Sequence, residues 1–198
     1  MGNYTCKSIT VYCSSSNHVD DVYLETARKL GQLIAQNDYT LVFGGGYVGL
    51  MGALSAGARE RGGEVVGIIL QKFLDMGVAD PQVNKMQIVS DMRSRKQGLE
   101  EAGDAYIALP GGFGTLEELT EMISFKQLRF HNKPIIIINV KGYFDNLVEQ
   151  FKLGVAESFV EKRFGSIYEV VTTPQQAITA IQNYRPPDLA GKSIEPLR

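Results

Sequence analysis

The run Asp104-Ala105-Tyr106-Ile107-Ala108-Leu109 leads directly into Pro110-Gly111-Gly112-Phe113-Gly114-Thr115-Leu116-Glu117-Glu118. The first part reads as a strand. From Thr115 to about Leu128 the pattern is helical, with Leu116, Leu119, Met122 and Ile123 on one apolar face. Between the two stand three glycines in four positions. A glycine turn there lets backbone N–H groups approach an anion at a helix N-terminus, and Thr115 adds a hydroxyl. The alternative is a tight connection whose glycines serve backbone angles alone. Their place at a strand's carboxyl end favours the anion.

The same alternation extends in both directions. Strands are expected at Ser8 to Cys13, Tyr39 to Phe43, Glu64 to Leu70, Met86 to Ser90, Pro134 to Val140 and Ile167 to Val171. Helices are expected from Asp20 or Asp21 onward, from about Leu50 to Arg61, from Asp91 to Ala102, from Tyr143 to Phe159 and from Pro174 to Tyr184. Gln71 to Lys85 shows no clear period and is read as a loop. Strands this apolar, separated by helices, imply an α/β fold with a mostly parallel central sheet and helices on both faces. Ligands of such sheets bind outside the carboxyl ends of the strands. Residues 1–184 are read as one domain and 185–198 as an extended tail.

Composition excludes several classes. With 198 residues, 44% hydrophobic and 21% charged, the chain has ordinary globular make-up. A net charge of −2 gives no electrostatic case for nucleic acid. No segment approaches the roughly 18 to 20 apolar residues that cross a bilayer, and Met1 to Cys6 shows neither a signal core nor the myristoylation pattern. Two cysteines, Cys6 and Cys13, make no disulfide framework or zinc site and are expected to pack as small hydrophobes. His18 and His131 lie in expected loops, so no metal is expected. A reducing cytoplasm is the default compartment.

Gly44-Gly45-Gly46, with Gly49-Leu50-Met51-Gly52 after it, repeats the strand–glycine–helix device. Ligand contact and close packing explain it equally, the small residues from Ala53 to Ala58 allowing the helix to lie close on the sheet. On the helix after Thr115, Glu118 borders the apolar face while Glu117 and Glu121 point further away. Thr115-x-x-Glu118 is also a capping box, so capping and chemistry both account for Glu118. Upstream, Met92 and Leu99 mark the buried line of a helix, and Arg95 lies between them. Such an arginine snorkels to the rim or meets an anion; Arg93 and Lys96 can be ordinary solvated charges.

The loop from Pro110 to Glu118 and the pair Arg95-Lys96 together resemble the lonely-guy family of cytokinin-nucleotide phosphoribohydrolases. The resemblance runs from Tyr12-Cys13-Ser14-Ser15-Ser16 through Gly44 to Gly52 to the Pro134-Ile135-Ile136 strand. It implies a Rossmann-like three-layer fold, a homodimer or larger assembly of dimers, and cleavage of AMP or N6-modified AMP to free base and ribose 5-phosphate. No cofactor is implied. Carried over, Arg95 and Glu118 are the catalytic pair. Ser14, Gly44, Gly45, Gly46, Met92, Lys96, Gly111, Gly112, Phe113, Gly114, Thr115, Leu116, Glu117, Glu121 and Ser124 would contact the nucleotide. The chain departs from plant members between Gln71 and Val89, where Phe73-Leu74-Asp75-Met76-Gly77 replaces a usual acidic base-side residue. The lysine-decarboxylase label once given to relatives finds no lysine here in a recognisable Schiff-base context. A stripe of Met122, Phe125 and Leu128 would face a second copy or pack on its own sheet. Two other readings stand beside the hydrolase. One is a nucleotide-binding carrier or sensor without catalysis; the other is a different N-glycosidase or phosphoribosyl transferase on the same scaffold.

Overall fold

A computed structural model describes residues 4–187 and 189. Seven strands form one sheet: β1 (Ser8–Tyr12), β2 (Thr40–Phe43), β3 (Val65–Leu70), β4 (Lys85–Val89), β5 (Ala105–Ala108), β6 (Ile135–Ile138) and β7 (Glu169–Val171). Their order is β4-β3-β2-β1-β5-β6-β7, and every neighbouring pair is parallel. The expected Rossmann-like architecture is therefore present, with a sheet that is wholly rather than mostly parallel among the described strands. The tail expected from residue 185 onward lies largely outside the described residues.

The helices are α1 (Asp21–Gln36), α2 (Gly49–Arg59), α3 (Gln71–Asp75), α4 (Met92–Ala102), α5 (Phe113–Gln127), α6 (Asp145–Ala156) and α7 (Pro174–Gln182). Local chemistry sets several starts. Asp20 accepts from the Val22 amide to open α1. Asp91 accepts from Arg93 and Ser94 to open α4, and Thr173 with Gln176 forms a capping box before α7.

Period-two alternation along the strands divides the core. Ile9, Val11, Leu41, Phe43, Ile107 and Ile136 face α1, α2 and α7. Tyr12, Val42, Ile68, Tyr106, Ala108 and Ile137 face α4, α5 and the start of α6. Both faces are covered, which is why these strands are continuously apolar.

Five expectations are corrected. Gln71 to Lys85 is not all loop: its first five residues form α3, short enough to escape a test of periodicity. The small residues of α2 bring it onto α1 rather than onto the sheet. A Cβ on Gly31 would strike the Leu54 carbonyl, and one on Gly57 the Arg28 carbonyl. Met92 is 45% exposed, because it opens α4 at the carboxyl rim while Leu99 alone is fully buried on that helix. Met122, and in part Phe125, pack in the protein's own core beside Leu119, so the stripe does not face a second copy as a whole and only Leu128 of the three is exposed. Finally, α5 begins at Phe113 with the extended Gly112 as its N-cap and no side-chain capping bond. Thr115 thus lies within the first turn, and the Thr115–Glu118 capping box does not form.

Candidate active site

The sheet reverses its winding between β1 and β5, which opens a crevice at their carboxyl ends. Three loops meet there. The Ser14 amide donates to the Pro110 carbonyl at 3.2 Å, and the Ser14 carbonyl accepts from Met51 at 3.3 Å. Asn17 Oδ1 accepts from the Gly49 amide at 2.7 Å. The loop after β1 therefore joins the Gly44–Gly46 loop and its helix to the turn after β5.

In that turn, Gly111 is buried and needs to be glycine, since a Cβ would collide with the Thr115 hydroxyl. Gly112 and Gly114 differ: a Cβ on either would meet open space. Phe113 between them is 92% exposed. No side chain caps the first turn of α5, and Gly112 and Gly114 border open space, an arrangement suited to an anion.

Behind the turn, α4 and α5 bring Arg95 and Glu118 together. Arg95 Nη1 donates to Glu118 Oε1 at 3.0 Å, and the two side chains are only 11% and 12% exposed. Arg95 Nε donates to the Ile68 carbonyl at 3.2 Å. Its guanidinium lies so close over Gly44 that a Cβ there would overlap Nη2, which gives that glycine a reason beyond its own turn. Burial pushes the Glu118 carboxyl above the usual carboxylate range; Arg95 opposes this without cancelling it.

Lys96 Nζ contacts Glu117 Oε1 and reaches Glu121 Oε1 at 2.9 Å. These bonds raise its pKa. Glu117 and Glu121 are thus occupied by a cation, while Glu118 faces inward. Leu116 and Ser14 are half-buried beside the turn; Ser124 is exposed further along α5, past Glu121. Gly44, Gly45, Gly46, Arg95, the Gly111–Glu118 turn and Ser14 are brought to one crevice. Met92 stands at its rim.

Sequence reasoning passed over two residues. Tyr143 donates from its hydroxyl to the Gly111 carbonyl at 2.7 Å. Asp80 donates its amide to the Gly45 carbonyl at 2.8 Å, while its buried carboxylate accepts from Ser55 Oγ at 2.6 Å. Tyr143 follows a strand adjacent to β5 and was open to inference on that ground. Asp80 lay in a segment without pattern.

A parallel α/β sheet, an uncapped glycine turn at its switch point and a buried Arg–Glu pair define a Rossmann-like protein whose turn and carboxylate stand side by side at the sheet's carboxyl edge. The family profile described as "Possible lysine decarboxylase" matches residues 51–181. An Arabidopsis thaliana cytokinin riboside 5′-monophosphate phosphoribohydrolase is 35% identical over 180 residues, 91% of this chain and 84% of its own. A protein of Oryza sativa subsp. japonica described as "Probable cytokinin riboside 5′-monophosphate phosphoribohydrolase" is 36% identical over 180 residues, 91% and 74% of the two chains. The chain belongs to this lonely-guy family. Among solved structures, a molybdenum cofactor binding protein from Rippkaea orientalis superposes with a TM-score of 0.69. It is 24% identical, over 89% of this chain and 95% of that one. The Chlamydomonas reinhardtii molybdenum cofactor carrier protein gives 0.68 at 20% identity, over 89% and 96%. At that identity the likeness speaks for the fold.

Proposed function

We propose that the protein hydrolyses the N-glycosidic bond of nucleoside 5′-monophosphates, AMP and N6-modified AMP, releasing base and ribose 5-phosphate. The observation that carries this reading is the Arg95–Glu118 pair, buried behind an uncapped glycine turn. The phosphate sits on the amides from Gly112 to Thr115, which fixes the ribose and spends remote binding energy on orientation. As the bond from C1′ to the base nitrogen breaks, positive charge grows on the sugar. The Glu118 carboxylate stabilises that charge and takes a proton from the attacking water. The water oxygen bonds to C1′, and the base leaves with the bonding electrons and acquires a proton. A carboxyl raised by burial is better matched to proton transfer near neutral pH than an ordinary one. Arg95 keeps the carboxylate aimed, and Lys96 holds Glu117 and Glu121 aside.

In this reading residues 1–184 form the catalytic unit and 185–198 an appendage, and the protein works as a homodimer in the cytoplasm. No helix among the described residues is long and apolar enough to cross a membrane. The test is incubation of the pure protein with AMP and N6-isopentenyl-AMP, with free base and ribose 5-phosphate measured. Binding of both nucleotides without release of base would replace the hydrolase by a carrier.

A further inference from the structure

Tyr143 is joined to the glycine turn from outside the sequence motif. It follows β6 and a single 3-10 turn, Val140–Gly142, where Lys141 and Gly142 both take positive φ, 53° and 73°. That bend is anchored on both sides. Lys141 Nζ meets Asp20 Oδ2 at 2.8 Å, and the Phe144 amide donates to Asn139 Oδ1 at 2.7 Å. Phe144 is buried, and the Tyr143 ring stands edge-on to Tyr23, centroids 6.1 Å apart. The ring is held while its hydroxyl reaches the Gly111 carbonyl at 2.7 Å.

That carbonyl and the Gly112 amide belong to one planar trans peptide, so they point in opposite directions and turn together. A donor fixed on the Gly111 oxygen thus fixes the Gly112 N–H, directed away from Tyr143, and polarises it further. The preceding carbonyl, of Pro110, is held by the Ser14 amide. The turn is therefore tied at two successive peptides, and Gly112 itself borders open space.

We propose that Tyr143 is a positioning residue: its hydroxyl orients the Gly111–Gly112 peptide so that the Gly112 amide serves the 5′-phosphate of the substrate. This rests on the nucleotide-hydrolase reading above. The test is Tyr143→Phe, which keeps the ring against Tyr23 and Phe144 and removes only the hydroxyl. Titration calorimetry with ribose 5-phosphate should show affinity weakened about tenfold, as expected for one well-placed hydrogen bond. KM for AMP should rise by a similar factor, kcat should stay within about twofold, and the melting temperature should hold. Unchanged ribose 5-phosphate affinity, or a fall in kcat with KM unmoved, would overturn the role of Tyr143 while leaving the hydrolase intact. A wild-type protein that neither binds ribose 5-phosphate nor cleaves AMP would instead remove the underlying reading, and this role with it.

Discussion

Glu118 lies between two opposing influences, burial that raises its carboxyl and an arginine that lowers it, with burial the larger. Glutamine resembles the protonated acid and still accepts from Arg95. Glu118→Gln should therefore lose about 100-fold or more in turnover while stability changes by about 1 kcal/mol or less. Turnover and melting temperature on one preparation check this, and a fully active variant would shift attention to Glu121. The sign of the pH dependence follows from the raised value. An acid whose folded-state pKa is raised contributes stability that is fully present below the unfolded value and lost as pH rises through the folded one. Melting temperatures should accordingly move in the variant's favour as pH rises past the ordinary carboxylate range, and the acid limb of wild-type activity should lie above it. Sequence gave this site unevenly. Arg95 between Met92 and Leu99 was legible because a buried line cannot carry a charge without a partner. The partner itself was obscured, since Thr115-x-x-Glu118 matched a capping box that the extended Gly112 pre-empts. Tyr143 belongs to no motif, and only its place after β6, the neighbour of β5, pointed to it.

On α5 the two ends carry different chemistry. At its start, Gly111→Ala would press a methyl into the Thr115 side chain. The turn would shift, so AMP cleavage should fall at least tenfold with KM rising, a loss measurable against an unchanged helical circular-dichroism spectrum. At its far end, about 20 Å along the axis at 1.5 Å per residue, Lys126 is 1% exposed and donates to the Lys133 carbonyl and the Tyr184 hydroxyl, each at 2.8 Å. Burial pulls its ammonium down from 10.5 to about 8. A depressed lysine binds fewer protons folded than unfolded between those values, so this group adds stability as pH climbs from about 8 towards 10.5. Thermal melts of wild type and Lys126→Met across that window should diverge, the wild type gaining on the variant. Every strand was readable because short β-branched runs alternate with helical periods; α3 was not, since five residues are too few to show a period. Element ends were not, since β5 and β6 stop where the ladder hydrogen bonds stop rather than where apolar residues do. The partner of α2 was also unreadable, because small residues permit close approach to any neighbour.

At the scale of the whole molecule, several large apolar side chains stand exposed past α5 and on or just after α6. Leu128 is 52% exposed, Phe130 72%, Leu153 51% and Phe159 87%. Side chains of that size in water favour association, and light scattering at micromolar concentration should return a dimer or a multiple of one. Phe130→Glu should shift it towards monomer; a wild-type monomer would remove the assembly. The parallel order of the sheet has another consequence, for the time course of its formation. Each parallel neighbour is reached only through a crossover, and central β1 acquires its second partner when Ile9 meets Ala105. Contacts so distant along the chain make for slow folding. As the polypeptide leaves the ribosome, β1 can pair with β2 early, yet its other edge stays bare until β5 has emerged. Pro110 and Ser14 cannot meet before then, so in refolding after denaturant dilution catalytic competence should return in the slowest phase, behind the helical signal.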